Sequence, residues 1–137
     1  MATVKTTYLG NLRTEAEHLQ SGAKIITDAP TDNHGKGEAF SPTDLMAASY
    51  ASCALTIIGI AAEKHGFDVE GTKVETTKVM GENPRRIAEL IVHFIFPTDY
   101  SEKEKKIIEG AIRSCPVANT FPSETKISKT IQFGETK

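Results

Sequence analysis

Two cysteines are the residues of this 137-residue chain whose chemistry is most distinctive. Cys53 lies inside the long run LMAASYASCALTIIGIAA, and Cys115 opens the string CPVAN. Such a pair can form one reversible disulfide, and the same two thiols can equally serve as small apolar core residues. No CxxC occurs, and no Cys/His cluster has zinc-ligand spacing, so neither a thioredoxin-type motif nor a metal site is predicted. Two cysteines are few for a disulfide-built secreted scaffold, and the N-terminal residues lack a basic-then-apolar leader. The expected setting is the reducing cytoplasm.

A free thiol with a pKa of about 8.5 is only a few per cent ionised at neutral pH, and burial lowers that fraction further. Thiol chemistry therefore needs a cation near the sulfur. Arginine suits this role because it stays charged when partly buried, and the chain offers Arg13, Arg85, Arg86 and Arg113. Arg85 and Arg86 follow a turn signal, and Arg113 is expected on an exposed helix side. A cysteine hydrolase or transferase would need a histidine base close to the nucleophile. His18, His34, His65 and His93 show no such spacing.

The elements that must position these groups are legible from turns and caps. ATVKTTYLG, LRTEAEHL and AKIITD read as three strands, separated by Gly10-Asn11 and Ser21-Gly22 turns. A loop spans residues 29–40. Its HGKGEAF stretch lacks the spacing of a phosphate-binding loop. Ser41, Pro42 and Asp44 form a helix start with a capping box, and the helix is predicted to run to His65 and stop at Gly66. GTKVETTKVM and RRIAELIVHFIF then read as two strands joined through Gly81-Glu82-Asn83-Pro84. Ser101 and Glu104 form a second capping box. The helix they open buries Ile107, Ile108, Ala111, Ile112 and Cys115, and Pro116 is expected to stop or kink it. TKISKTIQF is a final strand. The order defines an α+β fold with mainly antiparallel sheet, in a single domain over residues 1–137.

In this scheme Cys53 sits about three turns into its helix, beyond the reach of the terminal dipole. From Leu45 to Ala62 that helix carries no charge, yet its six alanines and its Ser, Thr and Gly residues make it weakly apolar for a membrane span. A buried helix is expected instead, with small residues at Ala47/Ala51 and Ala48/Ser52 allowing a close neighbour. A hydrophobic content of 39% is modest for a self-sufficient core, and a second copy of the chain is expected to cover the helix. The net charge of −2, with both signs interspersed, gives no nucleic-acid or membrane surface.

The strings LRTEAEH, SGAKIITDAP, GKGEAFSPTDLMAASYASC, PRRIAELIVHF and CPVAN, in this order, closely resemble the OsmC/Ohr family of osmotically inducible and organic hydroperoxide resistance proteins. The resemblance implies an intertwined homodimer, with antiparallel sheets wrapped around paired long helices and a site built by both subunits. It implies a thiol peroxidase that uses no metal, haem or flavin cofactor. Cys53 corresponds to the peroxidatic cysteine, Cys115 to the resolving cysteine, and Arg13 to the arginine that holds the thiolate. An organic hydroperoxide is the implied substrate, and a dithiol such as a lipoyl group the implied reductant. Tyr50, Ile57, Phe40 and Phe121 are the candidate apolar wall for the substrate.

One position departs from the family pattern. Where the family has a glutamate after the helix-opening proline, paired with the arginine, this chain has Thr43, with Asp44 next and Glu38 upstream. Slower turnover is therefore expected. A cysteine redox sensor and a ligand-binding dimer are the alternatives to the peroxidase.

Overall fold

The computed structural model describes residues 2–134. The chain divides into two compact units, residues 1–46 and 47–137, joined through one long helix whose first turn belongs to the first unit and whose remainder belongs to the second.

In the first unit, β1 (Val4–Gly10), β2 (Arg13–His18) and β3 (Lys24–Asp28) form an antiparallel meander in that order. The turns expected from the sequence are present, with Gly10 at φ +86° and Gly22 at +78°, values that cost glycine nothing. The loop after β3 begins with a 3₁₀ turn at Thr31–Asn33 that the sequence did not announce. The loop folds back closely on the end of β3. A Cβ placed on Gly35 would fall 1.7 Å from the Ala29 carbonyl oxygen, so only glycine fits there. Gly37 donates to that carbonyl at 3.2 Å, and Asp28 donates through its backbone to Phe40 at 3.0 Å. These bonds fix Glu38 between them.

Helix α1 (Pro42–His65) starts at the expected capping box. The Asp44 backbone donates to Ser41 Oγ at 3.0 Å, and the Ser41 backbone donates to the Asp44 carboxylate at 2.9 Å, which satisfies donors that a helix start leaves open. At its other end Gly66 takes φ +76°. Phe67 then donates back to Ala62 at 3.0 Å and Gly66 to Glu63 at 3.4 Å, the pattern of a glycine-terminated helix.

The second unit contains β4 (Lys73–Gly81), β5 (Arg86–Phe96), α2 (Glu102–Arg113), α3 (Pro116–Thr120) and β6 (Lys126–Phe133). The sheet order is β4-β5-β6. β4 pairs antiparallel to β5, whereas β6 pairs parallel to it, so this sheet is mixed. The parallel pairing follows from the α2–α3 crossover that returns the chain to the start of β5. Along β5 the buried residues Leu90, Val92, Phe94 and Phe96 alternate as one face. A register shift at Val79/Met80 brings Ile87 onto that face as well. Against this face α1 buries Ala47, Tyr50, Ala54 and Ile58, and α2 buries Ile108, Ala111 and Ile112.

By length and composition α1 could cross a bilayer, with a mean hydropathy of 1.8 in its most apolar window. Its packing onto the second sheet makes it a core helix. Its opposite side stays open, with Met46, Ser49, Ser52, Thr56 and Ile60 exposed.

Candidate active site

Cys53 and Tyr50 stand three residues apart on α1, a spacing that puts two helical side chains on neighbouring tracks. Tyr50 is fully buried and Cys53 is half-buried against the same core. Cys115 belongs to the same core and is also fully buried. The sequence reading ran Cys115 onto the end of α2. Instead α2 ends at Arg113, with Ser114 as its cap, and Cys115 is the N-cap of the separate short helix α3, whose first residue is Pro116. Proline opens this helix rather than kinking the previous one, because its missing N–H is an unused donor at a first helical position.

Both cysteines are free thiols, and Cys53 lies close enough to Cys115 to act on its ionisation. Burial pushes the Cys115 thiol up from its ordinary pKa. The backbone N–H of Ala118 opposes that shift, the neighbouring Cys53 reinforces it, and the Val117 N–H opposes it more weakly. The net direction is upward, so the protonated form of Cys115 is favoured.

The Tyr50 phenol is pushed up to about 12, first by burial, then by the nearby Cys115 and Cys53. Its hydroxyl is buried and has no hydrogen-bond partner among the described residues. Ile57, one turn beyond Cys53, and Phe121, just after α3, are half-buried against the same core. Of the proposed wall, Tyr50, Ile57 and Phe121 thus share the second unit with both thiols. Phe40 lies in the first unit and is exposed.

Arg13 also belongs to the first unit. It stands directly across from Asp28 in the β2–β3 register, and a guanidinium Nη2 lies 2.5 Å from the Glu38 carboxylate and 3.6 Å from Asp28. Asp28 is buried, and it also accepts from the Glu38 backbone N–H at 3.0 Å. One buried carboxylate therefore fixes both the strand arginine and the loop that brings Glu38 to it. Thr43 has its hydroxyl 3.3 Å from that of Ser41. Sequence reasoning had noted Glu38 only as an upstream acid. The signal that identifies it is the Gly35/Gly37 loop, which returns the chain to the end of β3. Among the described residues no group of three or more His, Cys, Asp or Glu side chains could hold a metal ion.

The chain belongs to the OsmC-like protein family, whose model matches residues 35–129. It is 50% identical to a Psychrobacter arcticus protein described as a candidate osmotic stress induced and detoxification response protein, with 96% of each chain covered and a TM-score of 0.92. The same fold occurs in an OsmC-like protein from Mycoplasma pneumoniae, at 19% identity, 96% coverage of each chain and a TM-score of 0.81. It occurs again in an organic hydroperoxide resistance protein from Legionella pneumophila, at 18% identity, with 96% of this chain and 98% of that chain covered and a TM-score of 0.74. No curated protein matches the chain.

Proposed function

We propose that the protein is a thiol peroxidase that reduces organic hydroperoxides to alcohols in a reducing cytoplasm, working as a homodimer. The observation that carries this reading is the placement of Cys53 and Cys115 against one core, close enough that Cys53 raises the Cys115 pKa. Two thiols in such contact can exchange a disulfide without a large rearrangement, and their unequal settings divide the labour. Cys53, half-buried and the more accessible of the two, is the attacking sulfur. Cys115, held protonated by burial, waits for the second step.

The Cys53 thiolate attacks the terminal oxygen of the hydroperoxide. The O–O bond breaks, the alkoxide leaves and takes a proton to become the alcohol, and Cys53 becomes a sulfenic acid. The Cys115 sulfur then attacks the Cys53 sulfur, forming the disulfide as the S–O bond breaks. The released hydroxide takes the Cys115 proton and leaves as water. An external dithiol, such as a lipoyl group, restores both thiols and is itself oxidised to a disulfide.

Arg13 holds the thiolate in this reading, by the family correspondence, and Glu38 orients Arg13. Tyr50, Ile57 and Phe121, with Phe40, supply apolar contacts that favour an organic peroxide over hydrogen peroxide. The open side of α1, with small Ser49 and Ser52 beside Gly59, is the surface for the second copy.

The test is treatment of the reduced protein with one equivalent of cumene hydroperoxide, followed by mass analysis. A Cys53–Cys115 bond within one chain supports the proposal. Two unmodified thiols after the peroxide has been added in excess would overturn it.

A further inference from the structure

The Tyr50 hydroxyl is a buried donor without an acceptor among the described residues, a situation that costs on the order of 1–3 kcal/mol relative to a satisfied hydroxyl. Phenylalanine would fill the same volume without that cost, so packing alone gives no reason for the oxygen. Cys115 is buried in the same core as Tyr50, with Cys53 packed against it, and both, Cys115 the more strongly, lie close enough to raise the phenol's pKa. The core residues that β5 and α2 contribute around them are apolar, among them Leu90, Val92, Ile108 and Ile112. The hydroxyl therefore has no use while both thiols are protonated, and an acceptor appears beside it once a sulfur becomes anionic.

Cys115 is the sulfur that needs this help. It is fully buried, so its thiolate is strongly disfavoured, and its supporting donors are the backbone N–H groups of Ala118 and Val117. Resolution nevertheless requires it to give up its proton and attack the oxidised Cys53. Its neighbour Cys53 in the reduced state works against ionisation, and oxidation of Cys53 to the sulfenic acid changes that neighbour.

We propose that Tyr50 is a positioning residue for the resolving step: its unpartnered hydroxyl donates to the Cys115 sulfur as that sulfur ionises. This rests on the thiol peroxidase reading for the identity of the step. The hydroxyl keeps its own proton throughout and is neither oxidised nor consumed, so the balance of the resolving step is unchanged.

The first measurement needs no peroxide. In the Cys53→Ser variant Cys115 is the only thiol, and its ultraviolet thiolate absorbance is titrated with Tyr50 or with Tyr50→Phe. Each protein is corrected by the matching variant that also carries Cys115→Ser, which removes the tyrosine signal. Loss of one donor to a charged acceptor is expected to raise the Cys115 midpoint by about one pH unit. Coincident titrations would overturn the proposal. The second measurement follows single turnover in Tyr50→Phe with both cysteines present. Whatever the rate of its first step, sulfenic acid at Cys53 is expected to accumulate as a dimedone adduct, with its conversion to the disulfide about ten-fold slower than in the wild type. Disulfide formation at the wild-type rate would contradict the proposal. A wild-type protein that forms no sulfenic acid would remove the peroxidase reading, and the titration would still decide the contact between Tyr50 and Cys115.

Discussion

The Glu38 carboxylate and the Arg13 guanidinium meet at 2.5 Å, with the buried Asp28 3.6 Å from the same nitrogen. An arginine on a strand is thus held by an acid from a loop, and the start of the long helix contributes Thr43 where the family pattern has a glutamate. In the proposed cycle the loop acid Glu38 would serve Arg13 in place of the helix glutamate, and variants at this pair and at Thr43 test the expectation of slower turnover.

Glu38→Gln is expected to lower kcat/KM with tert-butyl hydroperoxide about ten-fold, the order of one hydrogen bond to a charged group. Thr43→Glu should recover part of that loss in the Glu38→Gln background and add little to the wild type. An equal gain in both backgrounds would show that Glu38 does not serve Arg13 in catalysis. Arg13→Ala should slow Cys53 alkylation at neutral pH more than at about pH 9, where the thiol ionises without help. An unchanged pH profile would take Arg13 out of the site.

The element order, both capping boxes and the glycine stop of α1 were legible in the sequence because each is a local event within a few residues. Ile108, Ala111 and Ile112 were legible as a helical stripe for the same reason. The parallel pairing of β6 with β5 was not, since alternation marks a strand without giving its direction. The separation of α3 from α2 depends on whether Pro116 ends one helix or opens another, which the proline alone does not decide. The Arg13–Glu38 pair spans a loop whose path is set by the contact of Gly35 with Ala29. The empty donor at Tyr50 is a property of packing, and no spacing rule announces it.

Assembly can be tested at Gly59, on the open side of α1. A Cβ there meets nothing within 4 Å in one chain, and replacing a helical glycine should stabilise the isolated chain by up to about 1 kcal/mol. If this side packs on a second copy, Gly59→Leu instead overpacks the contact, at a cost of about 1–3 kcal/mol. Sedimentation velocity should then show a weakened dimer, as it should for Ala48→Leu and Ala51→Leu. A folded wild-type monomer at micromolar concentration would refute the dimer outright.

Alkaline stability follows from the Tyr50 phenol. Its pKa is about 12 in the fold against 10.0 as its ordinary value, so between these limits the unfolded chain loses a proton that the folded chain retains. Stability from this group is complete below pH 10 and declines as pH rises through that window. Urea unfolding at pH 8 and near pH 11 should show a smaller loss for Tyr50→Phe than for the wild type. Equal losses would place the phenol in contact with water.

Replacing the second thiol should separate the two chemical steps. Cys115→Ser is expected to consume one equivalent of organic peroxide and stop with Cys53 as a sulfenic acid, since attack needs one sulfur and resolution the other. Dimedone labelling followed by peptide mapping checks this. Continued turnover with a dithiol, without any accumulated sulfenic acid, would remove Cys115 from the cycle.

The central claim is that Cys53 is an activated thiol selective for organic peroxides, and single-turnover kinetics of the reduced protein test it most directly. Cumene hydroperoxide and hydrogen peroxide are compared at neutral pH, with free cysteine as reference and Cys53→Ser as blank. The expected result is oxidation of Cys53 by cumene hydroperoxide far faster than free cysteine, faster than by hydrogen peroxide, and absent in Cys53→Ser. Reaction of Cys53 with both peroxides at the rate of free cysteine would contradict the account. Stabilisation of the dimer by a small apolar ligand would then point to a binding protein instead.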